Sequence, residues 1–145
     1  MNPLEPFLIW SLRAAAAGQL IIAALNLRLV QWLGWEAELA RVSLLLREVF
    51  HVHKWFISIT VTLFAVLTLR FAGDMAAGEP MARWLTAGIS LFWGIRAWMQ
   101  WGFYSHEHWR GRRDRTMAHW TLTIAYGACA GIYAWAAALP PGHLE

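Results

Sequence analysis

WGIRAWMQWGFYSHEHW, residues 93–109, is the stretch from which the fold is read. Its first half is apolar and aromatic, and its second half turns polar at His106, Glu107 and His108. That is the pattern of a membrane helix leaving the bilayer through an aromatic belt into a polar loop. Arg96, Gln100 and Tyr104 recur every fourth residue, so they share one stripe of that helix. Hydrocarbon offers such a stripe no hydrogen bonds, so it must face protein. The rest of the chain is therefore expected to supply helices that cover it.

Working outward, four long apolar blocks are found, each near or above the roughly 18 residues that suggest a bilayer span. They cover about 8–33, 49–71, 81–104 and 118–139. The first is the most polar, with Arg13, Gln19, Asn26, Arg28 and Gln31. Gln19 and Asn26 are seven apart and share a face, which is expected to point at another helix. Ala14–Gly18 and Ala23–Ala24 are small enough for close helix approach, and Gly34 is a plausible C-terminal stop. Between the first two blocks, Leu39, Val42, Leu46 and Val49 recur at helical spacing among charged residues. This predicts a short amphipathic helix in the interface over 35–48. A loop is expected over 72–82, with Pro80 in the first turn of the next helix. Gly127, Ala130, Gly131 and Ala134 give the fourth block a small-residue face. The fold class is thus all-α, a four-helix transmembrane bundle with one interfacial helix, in a single domain over 1–145.

Composition agrees. Of 145 residues, 59% are hydrophobic and 14% charged, against about 25% charged in soluble domains. Eleven tryptophans suit headgroup anchoring. The net charge of +3 needs no nucleic acid to explain it, because basic residues orient membrane helices. The single cysteine, Cys129, excludes an internal disulfide and a cysteine-cluster metal site. The start of the chain lacks the basic region of a cleaved signal peptide, so the first helix is expected to be retained. Counting Lys and Arg puts the first and third connections in the cytoplasm and both termini on the periplasmic side of a bacterial inner membrane.

This topology gathers histidines at the cytoplasmic interface. His51 and His53 begin the second span, His106 and His108 follow the third, and His119 begins the fourth. Two imidazoles from different helices at one depth suit a haem b, and histidine clusters also take transition metals. A His-x-His pair on a regular helix diverges by about 200°, so at most one of His51 and His53 faces the bundle. None of these pairs has the HExxH spacing of zinc hydrolases.

Arg96 lies about 12 Å inside Tyr104 along the helix. A charge at that depth costs roughly 2.5–3.5 kcal/mol on insertion scales and marks a functional position by default. No Asp or Glu lies inside any of the four blocks. Gln100, the Gln19/Asn26 face or an anionic ligand are its candidate partners. With Trp93, Gln100 and Tyr104 it outlines a candidate site for a quinone, a lipid or a tetrapyrrole. Neither a phosphate loop nor a Ser/His/Asp constellation is present, and no catalytic residue is assigned.

The segments Leu39-Ala40-Arg41, Arg47-Glu48-Val49-Phe50 and Trp93-Gly94-Ile95-Arg96 with Gln100 are similar to those of a group of small bacterial four-helix membrane proteins. The resemblance covers most of the chain and implies the four-helix fold, but no activity. His51, His53, His106 and His108 are not part of that pattern. The expected function is an accessory or assembly subunit of a larger, energy-transducing membrane complex, in contact with the lipid bilayer and with other membrane subunits or copies of itself. A histidine-ligated haem or metal electron carrier, and a quinone- or lipid-binding protein, are the alternatives.

Overall fold

The structure is a computed structural model that describes residues 4–103 and 113–140. Among these residues all regular structure is helical: α1 (Leu4–Leu33), α2 (Glu36–Leu39), α3 (Leu44–Ala77), α4 (Pro80–Gly102) and α5 (Arg113–Ala138). Three helices are long and apolar enough to cross a membrane: α1, α3 and the part of α5 from Thr116. α4 has 23 residues, about 35 Å at 1.5 Å per residue, which matches a hydrocarbon core of about 30 Å. Arg83, Arg96 and Gln100 make it less apolar than the others. Of the four expected spans, three therefore qualify by length and apolarity and one by length alone.

The exposure pattern fits lipid as solvent. On α3, Val52, Phe56, Ile59, Leu63 and Val66 are exposed at helical spacing, while Ser58, Val61, Ala65 and Thr68 are buried. The large apolar side chains lie outside and the small or hydroxyl-bearing ones inside. In water such a stripe would be a sticky patch far larger than monomers tolerate; against lipid tails it carries no penalty. The hydroxyls of Ser58, Thr60, Thr62 and Thr68 each donate to the carbonyl four residues earlier. This satisfies them within their own helix.

The helix ends correct the sequence reading in two places. The amphipathic helix expected over 35–48 is interrupted. α2 is a single turn, residues 40–43 form a turn, and α3 begins at Leu44. The cause is Ser43, whose Oγ accepts from the Leu46 amide at 3.4 Å while its carbonyl accepts from Arg47. It acts as an N-cap in the middle of the apolar repeat. The loop expected over 72–82 is also mostly helix. α3 continues to Ala77, with non-helical dihedrals at Phe71 (φ −114°, ψ 20°), and only Gly78 and Glu79 connect it to α4.

Both glycine stops are Schellman motifs. Gly34 has φ +69° and Gly78 φ +74°. The following amide in each case reaches back five residues, Trp35 to Val30 at 3.0 Å and Glu79 to Asp74 at 3.1 Å. Pro80 then occupies the first turn of α4, behind Glu79 in an extended conformation. The two glycines differ in surroundings. A Cβ on Gly34 would meet nothing within 4 Å, whereas one on Gly78 would lie 3.2 Å from the Pro140 carbonyl oxygen. Gly34→Ala should therefore cost only the left-handed backbone penalty of about 1–2 kcal/mol, and Gly78→Ala more. Reversible unfolding in mixed micelles tests this ranking, and equal losses would contradict it.

The described helices fall into two compact units. One comprises residues 1–15 and 71–145, the other residues 16–70. The first is organised by α4 and α5, with Leu8 and Leu12 of α1 buried and Phe7 near Trp135, ring centroids 6.0 Å apart. In the second, α1 and α3 are joined by a polar clamp. Asn26 donates to Ser58 Oγ at 2.8 Å and to the Lys54 carbonyl at 3.1 Å, and Lys54 Nζ donates back to the Leu27 carbonyl at 3.3 Å. The expectation that Asn26 faces another helix is met there, and Gln19 is fully buried.

Candidate functional site: the polar seam between α4 and α5

α4 buries Ala82, Thr86, Ile89, Trp93 and Gln100, at spacings of three, four and seven. α5 buries His119, Tyr126 and Tyr133, seven apart, and Cys129 and Ala136, also seven apart. Matching seven-residue repeats on two helices keep one face of each turned to the other. The contacts confirm an antiparallel register. Arg83 Nε donates to the Ala137 carbonyl at 3.3 Å, and Ser90 Oγ donates to the Ala130 carbonyl at 2.9 Å. Trp93 stacks on Tyr126 with centroids 5.3 Å apart and planes at 25°. Gln100 meets His119 at 3.0 Å. Steps of seven, three and seven along α4 are matched by steps of seven, four and seven back along α5.

Two residues of the stripe predicted on α4, Arg96 and Gln100, are the polar part of this seam. Arg96 donates from a terminal guanidinium nitrogen to Gln100 Oε1 at 3.0 Å. Gln100 Nε2 lies 3.0 Å from His119 Nδ1. Arginine can only donate, which fixes the amide orientation: Oε1 faces Arg96 and the NH2 group faces the histidine. Nδ1 of His119 is then the acceptor, and the proton of the neutral ring sits on Nε2. A metal or haem iron bound through Nε2 needs the opposite polarity, with Nδ1–H donating to an oxygen. Turning the Gln100 amide to provide that oxygen would set its NH2 against the guanidinium.

Two donors in the seam have capacity left over. Arg96 is half-buried and its guanidinium carbon lies 4.8 Å from the centroid of Tyr126, a cation–π distance. One hydrogen bond to Gln100 uses one of five N–H groups. Trp93 is 1% exposed, and its Nε1 has no hydrogen-bond partner among the described residues. Both groups adjoin the same Tyr126 ring.

Tyr104, His106 and His108 lie outside the described residues, as does His143. His51 and His53 are exposed on α3, in the unit that does not contain His119. Among the described residues no three His, Cys, Asp or Glu side chains are grouped to hold a metal ion. The sequence reading missed Tyr126, which touches both Trp93 and Arg96. Its signal is the seven-residue step from His119, visible only once α4 and α5 are paired.

No family model, curated protein or solved structure matches this chain.

Proposed function

We propose that the protein is a four-span bundle of the bacterial inner membrane that binds a quinone or lipid at the α4–α5 seam. The observation that carries the binding role is the pair of under-used donors, Arg96 and Trp93 Nε1, beside one aromatic ring. A buried donor left unmade costs about 1–3 kcal/mol. A quinone carbonyl or a lipid ester would supply the missing acceptor, and its apolar body would suit the aromatic surroundings.

The fourth span is supported by connectivity. α4 follows α3 after two residues and lies antiparallel against α5, from Arg83 to Gln100. If α3 and α5 cross the bilayer, α4 returns the chain between them. The cytoplasmic side is assigned to the first and third connections with their flanking residues, which carry Arg28, Arg41, Arg47, Lys54, Arg110, Arg112, Arg113 and Arg115, and the periplasmic side to the termini.

The test is native mass spectrometry of the protein released from mild detergent. Wild type should retain a lipid-soluble adduct. Losing a charge-assisted hydrogen bond worth about 1.5–3 kcal/mol should lower its retention about ten- to a hundredfold in Arg96→Leu. Equal retention in both proteins would end the proposal.

An accessory-subunit role is a second reading. What favours it is the outward face of α5, where Gly127, Gly131 and Ala134 are exposed. A Cβ on either glycine would meet nothing within 4 Å. Such a face lets the helix of another subunit approach closely. This reading fails if the wild type and Gly131→Leu both leave mild detergent as the same free monomer.

A further inference from the structure

A second cluster of chemistry lies away from the seam, where α1, α2 and α3 meet. Arg47, His51 and Lys54 are spaced four and three apart on α3, so they share one stripe. All three line a half-open cleft of about 210 Å³, together with Glu36 of α2 and Gln31 of α1. No ion pair engages Arg47 or Lys54 among the described residues. Lys54 uses one of its three donors on the Leu27 carbonyl. The cleft therefore holds two permanent cations and an imidazole against one carboxylate.

Its depth and size narrow the occupant. Trp32 and Trp55, on the helices that border the cleft, are both exposed, and tryptophans in that position mark the headgroup level of a bilayer. Pockets that enclose a drug-sized ligand run about 300–1,000 Å³. This cleft is smaller and open on one side, so it suits a headgroup whose tails stay in the membrane. Basic pockets between membrane helices on the cytoplasmic side are suited to anionic headgroups.

We propose that Arg47, His51 and Lys54 form a binding site for the phosphate of an anionic phospholipid. The site shares no residue with the α4–α5 seam and does not depend on a ligand there. Arg47 is the recognition group, because a guanidinium fork matches two phosphate oxygens. Lys54 adds a point charge from a position already fixed by its bond to α1.

The test compares phosphatidylglycerol with phosphatidylcholine as adducts in native mass spectrometry of the full chain. The two lipids share ester carbonyls and differ in headgroup charge. Wild type should prefer phosphatidylglycerol, and Arg47→Gln should lose about fivefold of that preference, as expected for one basic residue near the surface. Arg41→Gln, an exposed cation in the turn before α3, should keep it. Arg96→Leu should keep it too, which separates this site from the seam. No headgroup preference in wild type, or an equal loss in Arg41→Gln, would overturn the proposal. So would complete displacement of the lipid by millimolar inorganic phosphate, which would identify a free-anion site. Arg47 makes no side-chain hydrogen bond among the described residues, so its replacement leaves the helix contacts intact. His51→Gln gives an independent second variant.

Discussion

Trp93→Ala should destabilise the protein by about 3 kcal/mol. Trp93 is among the largest fully buried side chains, stacked on Tyr126 and edge-on to Phe92 at 5.4 Å. Truncating a buried Phe or Trp costs about 3–5 kcal/mol in water-soluble cores. Part of that range is transfer free energy, which is small where the alternative solvent is lipid. The lost packing and the aromatic pair, worth about 0.5–1.5 kcal/mol, are not discounted, so the low end applies. Trp93→Phe separates the ring from its nitrogen. It keeps most of the stack and removes a buried donor that has no partner among the described residues. The relief of that donor offsets the smaller ring, and in delipidated protein the net change should stay within about 1 kcal/mol. Unfolding midpoints of the two variants in one detergent check both values. If Phe were as damaging as Ala, the nitrogen would have a protein partner and the seam would lose one of its two open donors.

How far the seam could be read in advance depends on which side of it is considered. Arg96 and Gln100 were legible because a four-residue step on an apolar helix has one geometric meaning, and their hydrogen bond realises it. The helix stop at Gly34 and the place of Pro80 in the first turn of α4 were legible for similarly local reasons. The start of α3 was not. Ser43 sits inside a continuous apolar repeat, and only its capping bonds show that the repeat is broken there. Tyr126 was hidden for a different reason. Its role belongs to the pairing of two helices, and pairing register is not written in either helix alone. The same cause explains why α4 is less apolar than its neighbours. Thr86, Ser90, Arg83 and Gln100 bond within α4 or to α5, so their polarity is spent inside protein and is no measure of what the helix presents to lipid.

Gln100 is the residue on which the polar chain turns, and two substitutions there should diverge. Gln100→Leu removes the acceptor for Arg96 and the donor for His119 together. His119 is 8% exposed, so loss of the Gln100 donor facing its Nδ1 costs about 1–3 kcal/mol. Arg96 is half-buried, keeps Tyr126 and can turn outward, so it adds less. A loss of roughly 2–4 kcal/mol is expected in total. Gln100→Glu should cost less, because the carboxylate accepts from the guanidinium in a charge-assisted bond. A carboxylate cannot donate, however, so His119 must carry a proton on Nδ1 to complete the chain. The imidazole is therefore expected to be protonated on Nε2 in wild type and to gain a proton on Nδ1 in Gln100→Glu. Nitrogen-15 NMR of the His119 ring distinguishes these states, and unfolding in the same detergent orders the stabilities as wild type, Glu, then Leu. A wild-type ring already protonated on Nδ1 would reverse the chain. The amide would then present its oxygen to His119, the bond from Arg96 would be lost, and Nε2 would be polarised as an iron ligand requires.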